Sequence, residues 1–315
     1  MSGHGVSAPD ACSVRWDAAA VPSYGTAPAG GFWLALEQNG PWGRKAATES
    51  RLDPTLGAVL EEAVGAAGGT LLLIRQPDQH AEVESATLRR VYLAGGLQED
   101  PWLLTGLIAD PAELLTLPLA TLGSAVQGDV LAIAPWLAPA GEAVLLVCAN
   151  ARRDICCAVR GRPIALDVAA LRPGRVWECS HLGGHRFAPT GIVLPLAQVL
   201  ARLTTEVALA ALDAAEQGRF ASQALGPWHD RGRTHREPAL SVADSWIRAE
   251  IGETDPTALR VLPGTSDPDW ITVEHRDGRR WRLRVTSRPE SEPRPESCGK
   301  PPVISSVWEV VTEPL

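Results

Sequence analysis

The chain contains no run of about 18 apolar residues, so no membrane-spanning helix is expected. Met1–Ser13 has neither the basic start nor the apolar core of a secretory leader, which points to a cytoplasmic protein. Cysteine is sparse, with six in 315 residues. That is too few for a disulfide scaffold, and a chain without an export signal keeps its thiols reduced. Cysteine here therefore reads as ligand or core. Positive charge is not in excess either: 29 Lys and Arg face 37 Asp and Glu, for a formal net charge of -8. General nucleic-acid binding needs an electropositive face to displace counterions, so that class is set aside. Three Phe and one Met beside eleven Trp, with abundant Ala, Arg and Pro, give the composition of a GC-rich bacterial genome.

What is present is an ordinary globular balance, 45% hydrophobic and 21% charged. The length suggests two or three domains. Residues 1–30, rich in Gly, Ala, Pro and Ser, read as an irregular lead-in. Phe32–Glu37 is the first strand. Asp53 caps a helix with Pro54 at its first position, which runs to the stop signal Gly68-Gly69. Thr70–Ile74 and Arg89–Leu93 follow as strands, a β-α-β-β order that implies a mixed sheet. Between 96 and 140 the pattern weakens, with one helical turn at Ala112–Leu115 and a strand at Val130–Ile133.

Ala143–Val147 is a fully apolar strand that ends at Cys148. Pro163 opens a helix through Leu171. Arg175–Trp177 and Gly191–Leu194 are strands, and Val199–Phe220 is a long helix. The β-α-β-β-α order after residue 142 is the minimal thioredoxin-like arrangement. Residues 221–237 are polar and read as a linker, with His229 and His235 in solvent. Ser241–Ile251 is an amphipathic helix. Three strands follow, Trp270–His275, Arg280–Thr286 and Val303–Val311, with a hairpin turn at Arg276–Arg279. The division expected is 1–138 for an N-terminal α/β region, 139–222 for the thioredoxin-like domain and 223–315 for a C-terminal α+β region.

The chemistry concentrates between Cys148 and His185. Cys148 and Cys157 stand in a C-x8-C segment at the end of a buried strand, a usual place for α/β sites. His181 and His185 stand in an H-x-G-G-H segment. Gly183 and Gly184 break a helix and permit positive φ, so the histidines sit on a tight loop. Thiolates with imidazoles suit zinc or an iron–sulfur cluster, not magnesium or calcium. The histidine spacing fits zinc. The wide cysteine gap fits a two-iron cluster better than a single ion. Cys156 beside Cys157 offers an alternative register. Six arginines crowd the stretch, Arg152, Arg153, Arg160, Arg162, Arg175 and Arg186, with Asp154 and Glu178 pairing some of them.

The segments Leu146-Val-Cys148, Arg153-Asp154-Ile-Cys156-Cys157-Ala158, Gly161-Arg-Pro163, Trp177-Glu178, Ser180-His181-Leu-Gly183-Gly184-His185-Arg186-Phe187-Ala188-Pro189, Leu194-Pro195 and Arg202-Leu203 together resemble the sucrase/ferredoxin-like family. Cys12-Ser13, Gly25–Pro28, Gly40–Gly43 and, more weakly, Gly232-Arg233 and Ser297–Gly299 extend the likeness. The resemblance implies an α/β fold: a thioredoxin-like ferredoxin domain flanked by an N-terminal α/β region and a C-terminal α+β extension. It implies a [2Fe-2S] cluster held by Cys148, Cys157, His181 and His185. Arg153, Asp154, Gly183, Gly184 and Arg186 would lie around those ligands. Counting from Arg153-Asp154 favours Cys157 over Cys156. The chain departs from the family pattern at Asn150-Ala151, Leu196-Ala197 and Leu200-Ala201, around the ligands rather than at them. Nothing matches the paired carboxylates of a glycosidase.

Two thiolates and two neutral imidazoles leave an oxidised two-iron core near zero charge, against about -2 for four thiolates. Electron uptake is then easier, with potentials of about -150 to +300 mV for such ligation. The far imidazole nitrogens can take up a proton with the electron, and nearby arginines raise the potential. This describes a one-electron carrier, rather than a stand-alone catalyst, accepting from a flavin-dependent reductase. The alternative is a structural zinc or scaffold protein with the same four ligands. A thiol redox enzyme using Cys156 and Cys157 ranks below both, because adjacent cysteines lack the C-x-x-C geometry. Cys12 and Cys179 read as buried small hydrophobes, Cys298 as a thiol able to approach the cluster, and His275 as a strand-face residue.

Overall fold

Phe32–Glu37 forms β1, whose first five residues are buried. The computed structural model describes residues 8–79, 87–264 and 270–314, so the first seven residues of the lead-in lie outside the described residues. A helical turn, α1 (Cys12–Ala18), precedes β1. After β1 come the short α2 (Ala46–Glu49) and α3 (Pro54–Ala66). Asp53 caps α3, its carboxylate accepting from Leu56 N at 2.8 Å. Leu60 and Val64 of α3 pack on Phe32, Leu34, Leu36 and Leu73. β2 (Gly69–Arg75), β3 (Arg89–Gly95), β4 (Trp102–Ile108), α4 (Gln127–Ile133) and β5 (Leu137–Pro139) follow.

The second half of the large sheet opens with β6 (Val144–Cys148). It continues through α5 (Ile155–Leu171), β7 (Val176–Cys179), β8 (Gly191–Leu194), β9 (Gln198–Leu200), α6 (Thr205–Glu216) and β10 (Asp230–Arg233). All ten strands join in the order β10-β9-β8-β6-β7-β2-β1-β3-β4-β5. The pairs β1–β2 and β6–β7 are parallel. The halves meet where β2 pairs antiparallel with β7, Ile74 opposite Cys179. Helices α5 and α6 cover one face of β6–β9 through Ile164, Val168, Val207 and Leu212. A separate antiparallel sheet, β11 (Leu259–Pro263), β12 (Trp270–His275), β13 (Arg280–Pro289) and β14 (Ser306–Pro314), packs on α7 (Pro238–Ile251) through Val242, Ala243 and Ile247. The fold is mixed α/β with one large mixed sheet, consistent with a thioredoxin-like arrangement.

Several local expectations change. Val130–Ile133 is the end of α4, not a strand; Val130 is its buried contact, and a short apolar run does not by itself distinguish the two states. Helix α5 starts eight residues before Pro163. Asp154 caps it by accepting from Cys156 N at 2.9 Å, and the proline is carried inside the helix. The stretch at Val199 first forms the edge strand β9, and α6 begins only after Thr204 accepts from Val207 N at 3.2 Å. The expected linker contains β10, fully buried through Asp230–Arg233. His229 and His235 are partly buried rather than solvated. Among the described residues, no helix is long and apolar enough to cross a membrane.

Candidate metal centre

Strand β6 runs beside β7 with Cys148 opposite Cys179, so His181 leaves the sheet just beyond Cys148. Helix α5 returns over the end of β6. Gly161 makes that approach possible: a Cβ there would lie 2.4 Å from the Cys148 carbonyl oxygen. This brings Cys157 to Cys148. Cys157 Sγ lies 3.4 Å from His185 Nδ1, and Cys148 interacts electrostatically with both Cys157 and His181. The rings of His181 and His185 stack with centroids 5.0 Å apart and planes at 29°. The cysteines are buried and the histidines partly exposed, so the imidazoles form the outer edge of the group.

The loop between the histidines is built by its glycines. Gly183 and Gly184 both adopt left-handed backbone, with φ of 67° and 66°. Arg231, on β10, is fully buried beneath this loop and donates to the Leu182 and Gly183 carbonyls at 3.4 and 3.2 Å and to Thr26. Burial pulls its guanidinium down to about 9. No sequence feature singled out Arg231, because the strand that carries it read as a linker.

The charged neighbours follow expectation at Glu178, which pairs with Arg162, and depart from it at Asp154. Glu178 is buried between Arg75 at 2.6 Å and Arg162 at 3.0 Å. Asp154 is held by neutral donors rather than by an arginine. Its Oδ2 accepts from Ser297 Oγ at 2.7 Å and Cys298 N at 2.8 Å. Burial opposes its charge, yet these bonds and that from Cys156 N hold it below the usual carboxylate range. Arg186 pairs with Glu296 at 3.1 Å and lies over the rings of Trp16 and Phe187. Arg153 lines a pocket of about 210 Å³ beside His181, together with Arg44, Lys45 and Glu61.

Hydrogen bonding from Cys157, and then from His181, holds the Cys148 thiol well below its ordinary range despite burial. The Cys157 thiol is pushed up by that same bond and by burial. Burial also lowers His185, keeping its ring neutral and a nitrogen available as a donor.

A family model described as sucrase/ferredoxin-like matches residues 24–221. The chain belongs to the sucrase/ferredoxin-like family. No curated protein and no solved structure matches it.

This sucrase/ferredoxin-like chain holds a further donor group. Among the described residues, the donors that lie within 4.8 Å of one another are Cys12, Asp154, Cys156 and Cys298, a group able to hold a metal ion. It is not the two-cysteine, two-histidine set that the resemblance implies. Cys148, Cys157, His181 and His185 converge separately from it. Cys12 is therefore more than a buried small hydrophobe: its Sγ lies 3.5 Å from those of Cys156 and Cys298. Cys179 is fully buried, opposite Cys148 in the sheet.

Proposed function

We propose that this protein is a one-electron carrier that holds a [2Fe-2S] cluster through Cys148, Cys157, His181 and His185. The observation that carries the reading is the pairing of a buried cysteine with a partly exposed histidine on each side. Cys157 faces His185 at 3.4 Å, and Cys148 faces His181. The donor set is chemically suited to iron–sulfur ligation, two soft thiols with two imidazoles. When bound, such a cluster takes up and releases single electrons.

The chain's own residues would do the rest. Cys148 and Cys157 hold the inner side, away from solvent. His181 and His185 hold the outer side, where a partner can approach. Arg231 fixes the histidine loop from beneath through its carbonyls. Its buried charge, with that of Arg186, favours added negative charge nearby. Arg44, Lys45 and Arg153 beside His181 favour an acidic face on a flavin-dependent reductase or on the next acceptor. The reading places the protein in the cytoplasm.

The test is anaerobic purification of the full chain, followed by iron and acid-labile sulfide analysis and a visible spectrum. Two irons per chain and charge-transfer bands that bleach with dithionite support the reading. A colourless protein with stoichiometric zinc on these four residues overturns it.

A further inference from the structure

Cys156 and Cys157 are adjacent, yet they serve different surroundings. A helix turns about 100° per residue, so neighbouring side chains leave it in different directions. Cys157 faces His185. Cys156 Sγ lies 3.1 Å from Cys298 Sγ and 3.5 Å from Cys12 Sγ, and Cys298 Sγ lies 3.5 Å from Cys12 Sγ. The three thiols form a closed triangle drawn from α1, α5 and the segment before β14. Cys12 and Cys298 both lie outside residues 24–221, where the family match ends.

Apolar packing alone gives no reason for three sulfurs to converge, since a thiol is a weak donor and a weak acceptor. A built arrangement surrounds them. The Asp154 carboxylate accepts from Cys156 N at 2.9 Å and from Cys298 N at 2.8 Å, which sets the backbone of two of the cysteines. Ser297 Oγ donates to the same carboxylate at 2.7 Å. Both carboxylate oxygens stand 3.8 Å from Cys12 Sγ. A pocket of about 340 Å³, lined by Ile155, Cys156, Val159 and Cys298 among others, leads to the thiols from solvent.

We propose that Cys12, Cys156 and Cys298 form a second, mononuclear metal site for zinc, with Asp154 as the fourth donor. Tetrahedral zinc–thiolate bonds of about 2.3 Å require sulfurs roughly 3.8 Å apart, so the observed edges of 3.5, 3.5 and 3.1 Å would each open slightly, the Cys156–Cys298 edge most. A polynuclear cluster would need the sulfurs spread farther. Three sulfurs and one carboxylate oxygen select a borderline-soft ion over magnesium or calcium. Binding releases the thiol protons to solvent and forms three Zn–S bonds, with no change of oxidation state. The ion would tie α1 and the segment around Cys298 to α5, one residue from Cys157. This inference does not depend on what the Cys148–His185 group binds.

The test uses the full chain purified anaerobically under reducing conditions, with zinc and iron measured per chain. Zinc-edge X-ray absorption reads the ligands directly, and three sulfurs with one light atom are expected. Cys298→Ser and Cys12→Ser should each lose the zinc while iron content and visible spectrum stay as in the parent. Circular dichroism checks that both variants fold. If neither folds, the absorption experiment on the parent decides alone. A first shell containing imidazole nitrogen overturns the proposal. So does a Cys156–Cys298 disulfide in the reduced preparation, or zinc retained in both variants.

Discussion

Arg231 Nη1 lies 3.2 Å from the carbonyl oxygen of Gly183 and donates to it. A buried guanidinium thus sets the shape of the loop that carries His181 and His185. The neighbouring glycine is where this contact is tightest, since a Cβ on Gly184 would lie 2.5 Å from Arg231 Nη2. At Gly183 the same atom would meet nothing within 4 Å.

Gly184→Ala should therefore destabilise the protein more than Gly183→Ala. Both lose about 1–2 kcal/mol to the left-handed backbone. Only Gly184→Ala also pushes against Arg231, whose burial leaves it little room to move. Urea unfolding of the two variants checks the order, and equal losses would contradict the role given to Arg231.

Cys157→Ser should remove the iron, and Cys156→Ser should leave most of it. The reason is direction: Cys157 faces His185, and Cys156 faces Cys12 and Cys298. Iron per chain in each variant is the measurement. Loss of iron in Cys156→Ser alone would reverse the assignment.

Glu178→Gln should cost about 3 kcal/mol or more. The carboxylate is fully buried between Arg75 and Arg162. Removing one partner of a buried ion pair leaves the other charge uncompensated. The pair also lies at the β2–β7 junction, where Arg75 is opposite Glu178, so the two halves of the sheet should loosen together. Denaturant melts give the loss, and hydrogen exchange at β2 and β7 localises it.

Two groups around β10, buried Asp230 and partly buried His235, should give opposing pH dependences. Burial, with Arg233 and Arg236 beside it, lowers His235 to about 3, while Asp244 acts the other way. Its contribution to stability is full above the ordinary value of 6.5 and is lost as pH falls toward 3. Burial raises Asp230 to about 6 against hydrogen bonds from Ser245 and Gly232 N, with Asp244 raising it further and Arg248 lowering it. Its contribution is full below 3.8 and is lost as pH rises through 6. His235→Gln should thus remove a rise of stability with pH, and Asp230→Asn a fall, each at most about 1.4 kcal/mol per pH unit. Unfolding free energies between these limits test both signs.

Much of the fold was legible because its strongest signals are local. Asp53-Pro54 and Gly68-Gly69 bracket α3 closely, and the apolar runs at Phe32 and Val144 are β1 and β6. Pro163 misled because a proline that begins one helix is indistinguishable, locally, from one carried inside a helix capped earlier by Asp154. β10 was hidden because its residues are charged, and their burial depends on partners outside the segment, Thr26 from far away in sequence and Asp244 on the following helix. At the site, the positive φ of Gly183 and Gly184 follows from glycine pairing. The company of Cys12 and Cys298 does not follow from spacing, because 286 residues separate them.

The central claim is tested most directly by electron paramagnetic resonance of the dithionite-reduced full chain. A two-iron signal with an average g lowered toward that of histidine-ligated clusters is expected, and it should vanish in Cys157→Ser. No signal after full reduction of an iron-loaded protein would contradict the account.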